Sequence, residues 1–292
     1  MKKVYAEILA GLIPCKMARN RWRGILRYGL LNALRLRRDL RRDHPAPRHY
    51  LAVCAIAKDE GPYFKEWIDW HVGQGVEKFY VYDNGSTDST RSILAPYIDA
   101  GIVDYKPFPG HRMQLAAYDD CLSHHRYEAR WIAFIDIDEF IVPLKHHNLP
   151  ALLQELEDYP AVELNWLVYG SSGRQTRSEG TVMQRFKRHA LPQHPVNRHV
   201  KSIVNPRRVY NMIGCHEAAR INGYAVDPAG RPVRRHFRDR EPQLDIARIN
   251  HYAVKSLEEF AEKQARGRAS GTVRSLSLDY FHYYDLNDVA EE

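Results

Sequence analysis

The sequence predicts an α/β fold: a mostly parallel, twisted sheet flanked by helices, preceded by a basic helical extension. Two observations predict it. From Tyr50 onward, short apolar runs alternate with stretches whose apolar residues recur at helical spacing, the pattern of strands joined by right-handed crossover helices. Clusters of acidic and small polar residues come directly after the runs, at the carboxyl ends of the strands, where open α/β sheets bind ligands.

The first run, Leu51-Ala52-Val53-Cys54-Ala55-Ile56-Ala57, is continuous rather than alternating and so suits a strand covered on both faces. Gly61-Pro62 opens a helix, since proline is tolerated in a first turn, and Phe64, Trp67, Ile68 and Val72 mark its apolar stripe up to Gly73 and Gly75. Lys78 to Tyr82 forms the second strand, and Ile93, Leu94 and Ile98 belong to the next helix, which Gly101 ends. Ile102 to Phe108 offers a third strand, Gln114 to His125 a helix with Leu115, Tyr118 and Leu122 in register, and Trp131 to Ile135 a fourth strand. Further on, Leu257, Phe260, Ala261 and Gln264 have the spacing of a helix that would pack His251 toward the core.

The 292 residues are 44% apolar and 27% charged, ordinary for a globular protein with a buried core and unlike a disordered or collagenous chain. Charge is unevenly placed. Residues 1–50 hold 13 Lys and Arg against 3 acids, while the remainder holds 30 against 33, so the body is not a generic polyanion binder. Between Val4 and Leu40, apolar residues including Ile8, Leu12, Ile13, Ile25, Leu26, Leu30, Leu31 and Leu34 interleave with Arg19, Arg21, Arg23, Arg27, Arg35, Arg37 and Arg38. This is the pattern of one or two basic amphipathic helices, which either lie on an anionic membrane leaflet or dock on the protein's own body. His44-Pro45-Ala46-Pro47 reads as a linker, dividing an extension of residues 1–48 from a body of residues 49–292.

Cys15, Cys54, Cys121 and Cys215 show no short paired spacing of the zinc or redox type. Reduced thiols are expected, with Cys54 and Cys121 serving as small core residues. No run reaches the roughly 18 apolar residues of a membrane span, and the start has no signal-peptide core. The expected location is the cytoplasm, with peripheral contact at the inner face of the membrane through the basic arm.

Asp83-Asn84-Gly85-Ser86-Thr87-Asp88 follows the second strand. Asp83 is placed to accept hydrogen bonds from a nucleobase or ribose, Gly85 permits a turn, and Ser86 or Thr87 can cap the next helix; the segment would also serve as an ordinary strand-to-helix turn. Asp136-Ile137-Asp138-Glu139 follows the fourth strand, so Asp136 and Asp138 direct two carboxylates the same way. Their repulsion is costly unless a cation neutralises it. A divalent ion, manganese or magnesium, held by one or two carboxylates and completed by diphosphate oxygens, would do so. Two solvated acids ending a strand are the simpler alternative.

In combination these motifs become specific. Leu51 to Glu60 with its Lys58-Asp59-Glu60 ending, then Asp83 to Asp88, then Phe134-Ile135-Asp136-Ile137-Asp138-Glu139-Phe140 resemble the nucleotide-sugar domain of glycosyltransferase family 2. Asn165 to Gly173, Lys201-Ser202-Ile203-Val204, Cys215-His216-Glu217, and Asn250-His251-Tyr252 with Ser256 to Phe260 resemble glycosyltransferase family 92 and a related bacterial branch. The matched segments run from about Leu51 to Gly267. The resemblance implies a GT-A (Rossmann-like) fold. It also implies transfer of a sugar from a metal-bound nucleotide-sugar donor, a UDP-sugar being favoured, to an acceptor hydroxyl, with inversion, in surface polysaccharide or glycan synthesis.

By the same resemblance, Lys58, Asp59, Asp83 and Asp136 contact the nucleotide-sugar, Asp138 is the chief metal ligand with Asp136 assisting, and a later histidine, His251 or His216, joins that metal. Inversion requires a carboxylate within hydrogen-bond reach of the acceptor hydroxyl. Glu217 beside His216 is the first candidate and Glu179, in the Arg174 to Gly180 loop, the second; the acidic pair that usually supplies this base in family 2 has no evident place here. Trp166, Tyr169 and the turn Gly170-Ser171-Ser172-Gly173, read as following another strand, either frame the sugar or acceptor or pack in the core. Lys187, Arg188, Lys201, Arg207 and Arg208 either hold a diphosphate or form a solvated face. The expected acceptor is a glycan or a lipid-linked glycan. A catalytically silent sugar-binding module is the alternative. Nucleic acid, suggested by the arginine-rich arm, is not an expected partner, because the body is net acidic and carries no familiar nucleic-acid motif.

Overall fold

The computed structural model describes Ile13 and residues 15–234, 236–267 and 276–291; Val4, Ile8 and Leu12 of the basic arm lie outside the described residues. The first half of the chain forms α1 (Lys16–Tyr28), α2 (Leu30–Asp39), β1 (His49–Ala57), α3 (Gly61–Gly73), β2 (Lys78–Asp83), α4 (Thr90–Asp99), β3 (Val103–Pro107), α5 (Gln114–His125), β4 (Ala129–Phe134) and β5 (Glu139–Pro143). Then come α6 (Leu149–Gln154), β6 (Ala161–Val168), α7 (Val182–Arg185), β7 (Arg188–His189), β8 (Val200–Val204), β9 (Val209–Met212), β10 (Ala218–Arg220), β11 (Ala247–His251), α8 (Leu257–Arg266), α9 (Leu278–Tyr284) and β12 (Val289–Ala290).

The continuous apolar run of β1 has the structural cause that the sequence implies. Leu51, Val53, Ala55 and Ala57 enter one core with Phe64, Trp67 and Ile68 of α3 and Leu94 of α4. Ala52, Cys54 and Ile56 enter a second core with Ala117, Tyr118, Cys121 and Leu122 of α5. Helices therefore cover both faces of β1, and no position on it needs a polar side chain. Val72 departs from expectation: it is 42% exposed, because the inner stripe of α3 is completed by His71, which is buried.

One sheet of eight strands runs in the order β3-β2-β1-β4-β8-β6-β11-β5. Its first half, β3-β2-β1-β4, is parallel. Beyond it β8 is inserted antiparallel to both β4 and β6, and β11 runs parallel to β6 but antiparallel to β5. The β4–β5 link explains the change. A parallel crossover needs a dozen or more residues, and only Ile135 to Asp138 separate these strands.

In a flat sheet, four strand spacings at about 4.8 Å would put β5 roughly 19 Å from β4, at or beyond the reach of about 17 Å for five extended residue steps. The link is also turned, with the Glu139 N–H donating to the Asp136 carbonyl at 3.1 Å. The sheet must therefore curl, carrying β5 round to α3, where Trp67 and Trp70 donate their indole N–H groups to the carbonyls of Glu139 and Ile141, each at 2.9 Å. The Asp136–Asp138 link lies at the mouth of that curl.

The basic arm docks on its own body through one face. Ile25 of α1 and Ala33 and Leu36 of α2 pack on Tyr210, Ala219 and Ile221 of the β9–β10 hairpin. At Gly24 the approach is so close that a Cβ would stand 2.3 Å from that of Ala219.

His71 supplies a pH-dependent part of the stability. Its Nδ1–H donates to the Trp67 carbonyl at 2.7 Å and its Nε2 accepts from the Ile141 N–H at 3.2 Å, an arrangement that requires the neutral ring. Burial pushes its pKa down to about 4, against about 6.5 in an unfolded chain. Its stabilisation is therefore present above pH 6.5 and is lost as pH falls through that window, on the order of 3 kcal/mol in all. His71→Gln should be less stable than wild type at pH 7, and the gap in guanidinium midpoint should narrow toward pH 4; a constant gap would contradict this.

Candidate active site

β4 ends at Phe134, and the following turn is closed by the Asp136 N–H donating to Glu139 Oε2 at 3.0 Å. Asp136 and Asp138 border one cleft. With them come Lys58 and Glu60 after β1, Gln114 at the start of α5, Trp166 in β6, His199 and Lys201 at β8, His216, His251 at the end of β11, Lys263 and Arg266 on α8, and Tyr280 and Tyr284 on α9. The carboxyl ends of the parallel strands β1 and β4 thus open onto it, as the topology dictates.

The fold neutralises the two acids with two ammonium groups. Lys201 Nζ lies 2.7 Å from Asp136 Oδ2 and 3.3 Å from Glu139 Oε2, and Gln114 donates to Asp136 Oδ1 at 2.9 Å. Lys263 Nζ lies 2.5 Å from Asp138 Oδ2, and His251 Nε2 is 3.7 Å from Asp138 Oδ1. Burial alone would raise the Asp138 carboxyl; Lys263 and His251 outweigh it and hold the group well below the usual carboxylate range. Glu139 moves the other way, because its complete burial prevails over the neighbouring Lys201. Burial would lower Lys201, but Asp136 and Glu139 raise it well above its ordinary value.

The cleft histidines are neutral at physiological pH. Burial brings His199 and His216 down to about 4 and lowers His251 as well. His216 Nδ1 lies 2.7 Å from the Val200 carbonyl, which assigns the proton to Nδ1 and leaves a lone pair on Nε2. Trp166 stacks on His199 with ring centroids 4.9 Å apart and touches His251 at 4.2 Å and His216 at 5.5 Å. One indole therefore orients all three imidazoles.

Several expected site residues are placed elsewhere. Asp83 accepts from the Ser86 N–H at 2.8 Å and from the Tyr105 hydroxyl. Asp59 accepts from the Thr87 and Asp88 N–H groups at 2.6 and 3.2 Å, while its own N–H donates to Ser86 Oγ at 2.9 Å. The Asp59 carboxylate stitches the end of β1 to the turn after β2, the Asp83 carboxylate ties that turn and β2 to β3, and neither borders the cleft. Arg266 reaches this seam, donating to the Asp59 carbonyl at 3.0 Å and pairing with Glu60.

Glu179, the second candidate base, is exposed and lines a separate depression with Glu66 and Trp70 of α3. Glu217 is buried beside His216 but does not itself border the cleft. Trp166 lies within β6 rather than after a strand.

Tyr169 and the turn that follows it hold the C-terminal segment. The Tyr169 hydroxyl donates to Glu291 at 2.8 Å, and the Ser171 and Ser172 N–H groups donate to Asp285 and Asn287 at 2.6 and 2.8 Å. A Cβ on Gly170 would stand 2.5 Å from Asn287 Oδ1. The small residues at this turn therefore make room for that segment. Of the five expected cations only Lys201 borders the cleft. Lys187 is exposed, Arg188 donates to the Asn287 carbonyl, Arg207 to that of Pro45 and Arg208 to that of Asp158.

Lys263 and Arg266 were not expected. Their signal is a spacing of three on the helix after His251, which aims both the same way.

As a donor set, the Asp138 oxygen and the lone-pair-bearing His251 ring 3.7 Å away, with Asp136 nearby, fit a manganese-type cation that takes mixed oxygen and nitrogen ligands. Among the described residues a tighter group of potential ligands, Asp104, His125 and Glu128, lies beside the amino ends of β2–β4 instead. There Lys78 Nζ sits 2.6 Å from Asp104, as Lys263 Nζ sits 2.5 Å from Asp138, so a cation at either group would displace a lysine.

The model of a family described as Glycosyltransferase family 92 matches residues 49–279, a span that includes the cleft residues from Lys58 to Arg266. A glycosyltransferase family 92 protein of Ricinus communis is 27% identical over 232 residues, 77% of this chain and 39% of that protein. A galactan beta-1,4-galactosyltransferase of Arabidopsis thaliana is 26% identical over 186 residues, 58% of this chain and 36% of that protein. The chain thus spans well under half the length of these relatives. Both are plant proteins, which gives no support to the bacterial branch of the expected resemblance. Among solved structures, S. aureus TarS 1-349 aligns with 54% of this chain and 47% of its own, at 16% identity and a TM-score of 0.36.

Among the described residues Lys201 is the one cation shared by Asp136 and Glu139. Lys201→Met would leave both carboxylates uncompensated and should lower stability by about 3–5 kcal/mol, read as a shift in guanidinium midpoint. Adding Glu139→Gln should recover part of that loss, and a loss below about 1 kcal/mol in the single variant would contradict the assignment.

Proposed function

The chain belongs to glycosyltransferase family 92, and on that premise we propose that its cleft moves a sugar from a nucleotide-diphosphate donor onto an acceptor hydroxyl in a GT-A fold. One arrangement carries the reading: Asp136 and Asp138 share a cleft at the strand ends with Lys58, Lys201, Lys263 and Arg266. Carboxylates alone would repel a diphosphate, and cations alone would serve any phosphate. Together they suit a donor whose anionic leaving group needs charge compensation as its bond to the sugar breaks.

Asp138, assisted by Asp136 and His251, would hold the divalent cation, manganese or magnesium, which supplies Lewis-acid stabilisation of the departing diphosphate. Lys58, Lys263 and Arg266 line the same cleft, and Trp166, packed among the imidazoles, would form part of the wall beside the sugar ring. The family's galactosyltransferase relative makes UDP-galactose the first donor to test, with a glycan or lipid-linked glycan as acceptor and inversion at the anomeric carbon. Glu217 is the base proposed for the acceptor hydroxyl; it stands behind cleft-lining His216 and would take the proton through one bridging water rather than by direct contact.

A panel of nucleotide sugars should raise the melting temperature with UDP-galactose only when manganese or magnesium is present, since ligands that bind the native state raise its apparent stability. Asp138→Asn should lose both that shift and turnover while retaining the wild-type circular dichroism spectrum. Metal-independent shifts across every donor would overturn the reading, and a metal-dependent shift without transfer would assign a binding module.

Glu217→Gln should lower kcat at least about 100-fold, the minimum expected of a lost general base, whereas Glu179→Gln should stay within about twofold of wild type. Equal effects of the two substitutions would refute the choice of base.

A further inference from the structure

Docking of the basic arm uses only part of its apolar surface. Trp22, Leu30, Leu31 and Leu34 remain 49%, 60%, 70% and 55% exposed, although helices that had buried their stripe would leave polar side chains outside. At about 100° per residue, Leu30, Leu34 and Leu31 of α2 span one arc of about 100°, opposite the Ala33 and Leu36 face that packs on Tyr210 and Ala219. Arg37 flanks the arc on one side and Arg35 on the other, and Arg38 lies within it beside Leu31. The apolar face is thus framed by cations.

Two grooves border this face. One, between α1 and α2, is walled by Trp22, Leu30 and Leu34 together with Arg21, Arg37 and Arg220. Arg220 is only 3% exposed. Its Nη1 donates to the Ala218 carbonyl at 3.4 Å and its Nε has no partner, and among the described residues no carboxylate pairs with it. A buried guanidinium ordinarily finds an anion, and here it borders a groove. The other groove, on the far side of α2, presents Arg35, Arg38 and Arg42 with Asp39 as its one acid. Among the described residues no helix is long and apolar enough to cross a bilayer.

We propose that α1 and α2 form an interfacial anchor for an anionic phospholipid bilayer, with Trp22, Leu30, Leu31 and Leu34 in the acyl boundary and the arginines on lipid phosphates. This rests on the arm alone and not on the reading of the cleft. A nucleic-acid duplex would use the arginines but has no place for four large apolar side chains. A second copy of the chain would bring like charges together.

The test uses the full chain, sedimented with phosphatidylcholine vesicles with and without phosphatidylglycerol, at about 0.1 M and 0.5 M salt, across which the Debye length falls well below 10 Å. Binding should be at least about tenfold tighter to the anionic vesicles and should weaken at the higher salt. The variant Leu31→Ser with Leu34→Ser keeps the charge and alters only exposed positions. It should lose about tenfold in binding while melting as the wild type does.

Equal binding to both vesicle types would overturn the proposal. So would a serine variant that binds anionic vesicles and duplex DNA as the wild type does, which would assign a phosphate-only surface. Failure to bind vesicles, with a dimer in sedimentation velocity that the serine variant dissociates, would overturn it in favour of self-association.

Discussion

Four residues between β4 and β5 impose the constraint on which the site depends. They are too few for a crossover, so the sheet curls to bring β5 back, and the acidic turn they form is held at the mouth of that curl. Pairing of β5 with β11 and its hydrogen bonds from Trp67 and Trp70 keep the turn beside the histidines of β11 and the cations of α8. The close spacing of the two aspartates is thus both a chemical motif and a topological one.

Concentrating charge at that mouth has an energetic consequence. Each acid is compensated by an ammonium from a different element, Asp136 by Lys201 of β8 and Asp138 by Lys263 of α8. Pairs of this kind repay their desolvation only with good geometry and extra hydrogen bonds. Gln114 supplies such a bond to Asp136, and His251 stands near Asp138. An ionised carboxylate and neutral imidazoles therefore coexist in one cleft: Asp138 keeps its charge because Lys263 touches it, and the rings lose theirs because burial is not offset.

Much of the architecture was legible along the chain. β1 to β4 and the helices between them follow from the runs and periodicities of residues 51–135, because local hydrophobic pattern encodes which faces are buried. The β8 insertion was not legible, since nothing in Val200–Val204 states its neighbours. Within the site, Asp136, Asp138, His216, His251, Lys58, Trp166 and Lys201 were named from residue type and position, and all border the cleft. Tyr169, Gly170, Ser171 and Ser172 were read as framing a sugar because they follow a strand and the turn leaves room. However, β6 ends at Val168, and the turn beyond it grips Asp285 and Asn287.

By itself the sequence determined the α/β alternation, the two-sided burial of β1, the basic arm and the carboxylate pair, all consequences of spacing within a few turns or strand lengths. Tertiary structure alone decided which cation meets which acid, that Asp59 and Asp83 serve as stitches, that Glu179 stands apart, and that the arm docks by one face and exposes the other. The physical reason is range: periodicity reports which side of an element is buried, while an ion pair such as Asp138 with Lys263, 125 positions apart, exists only after the curled sheet has closed the distance.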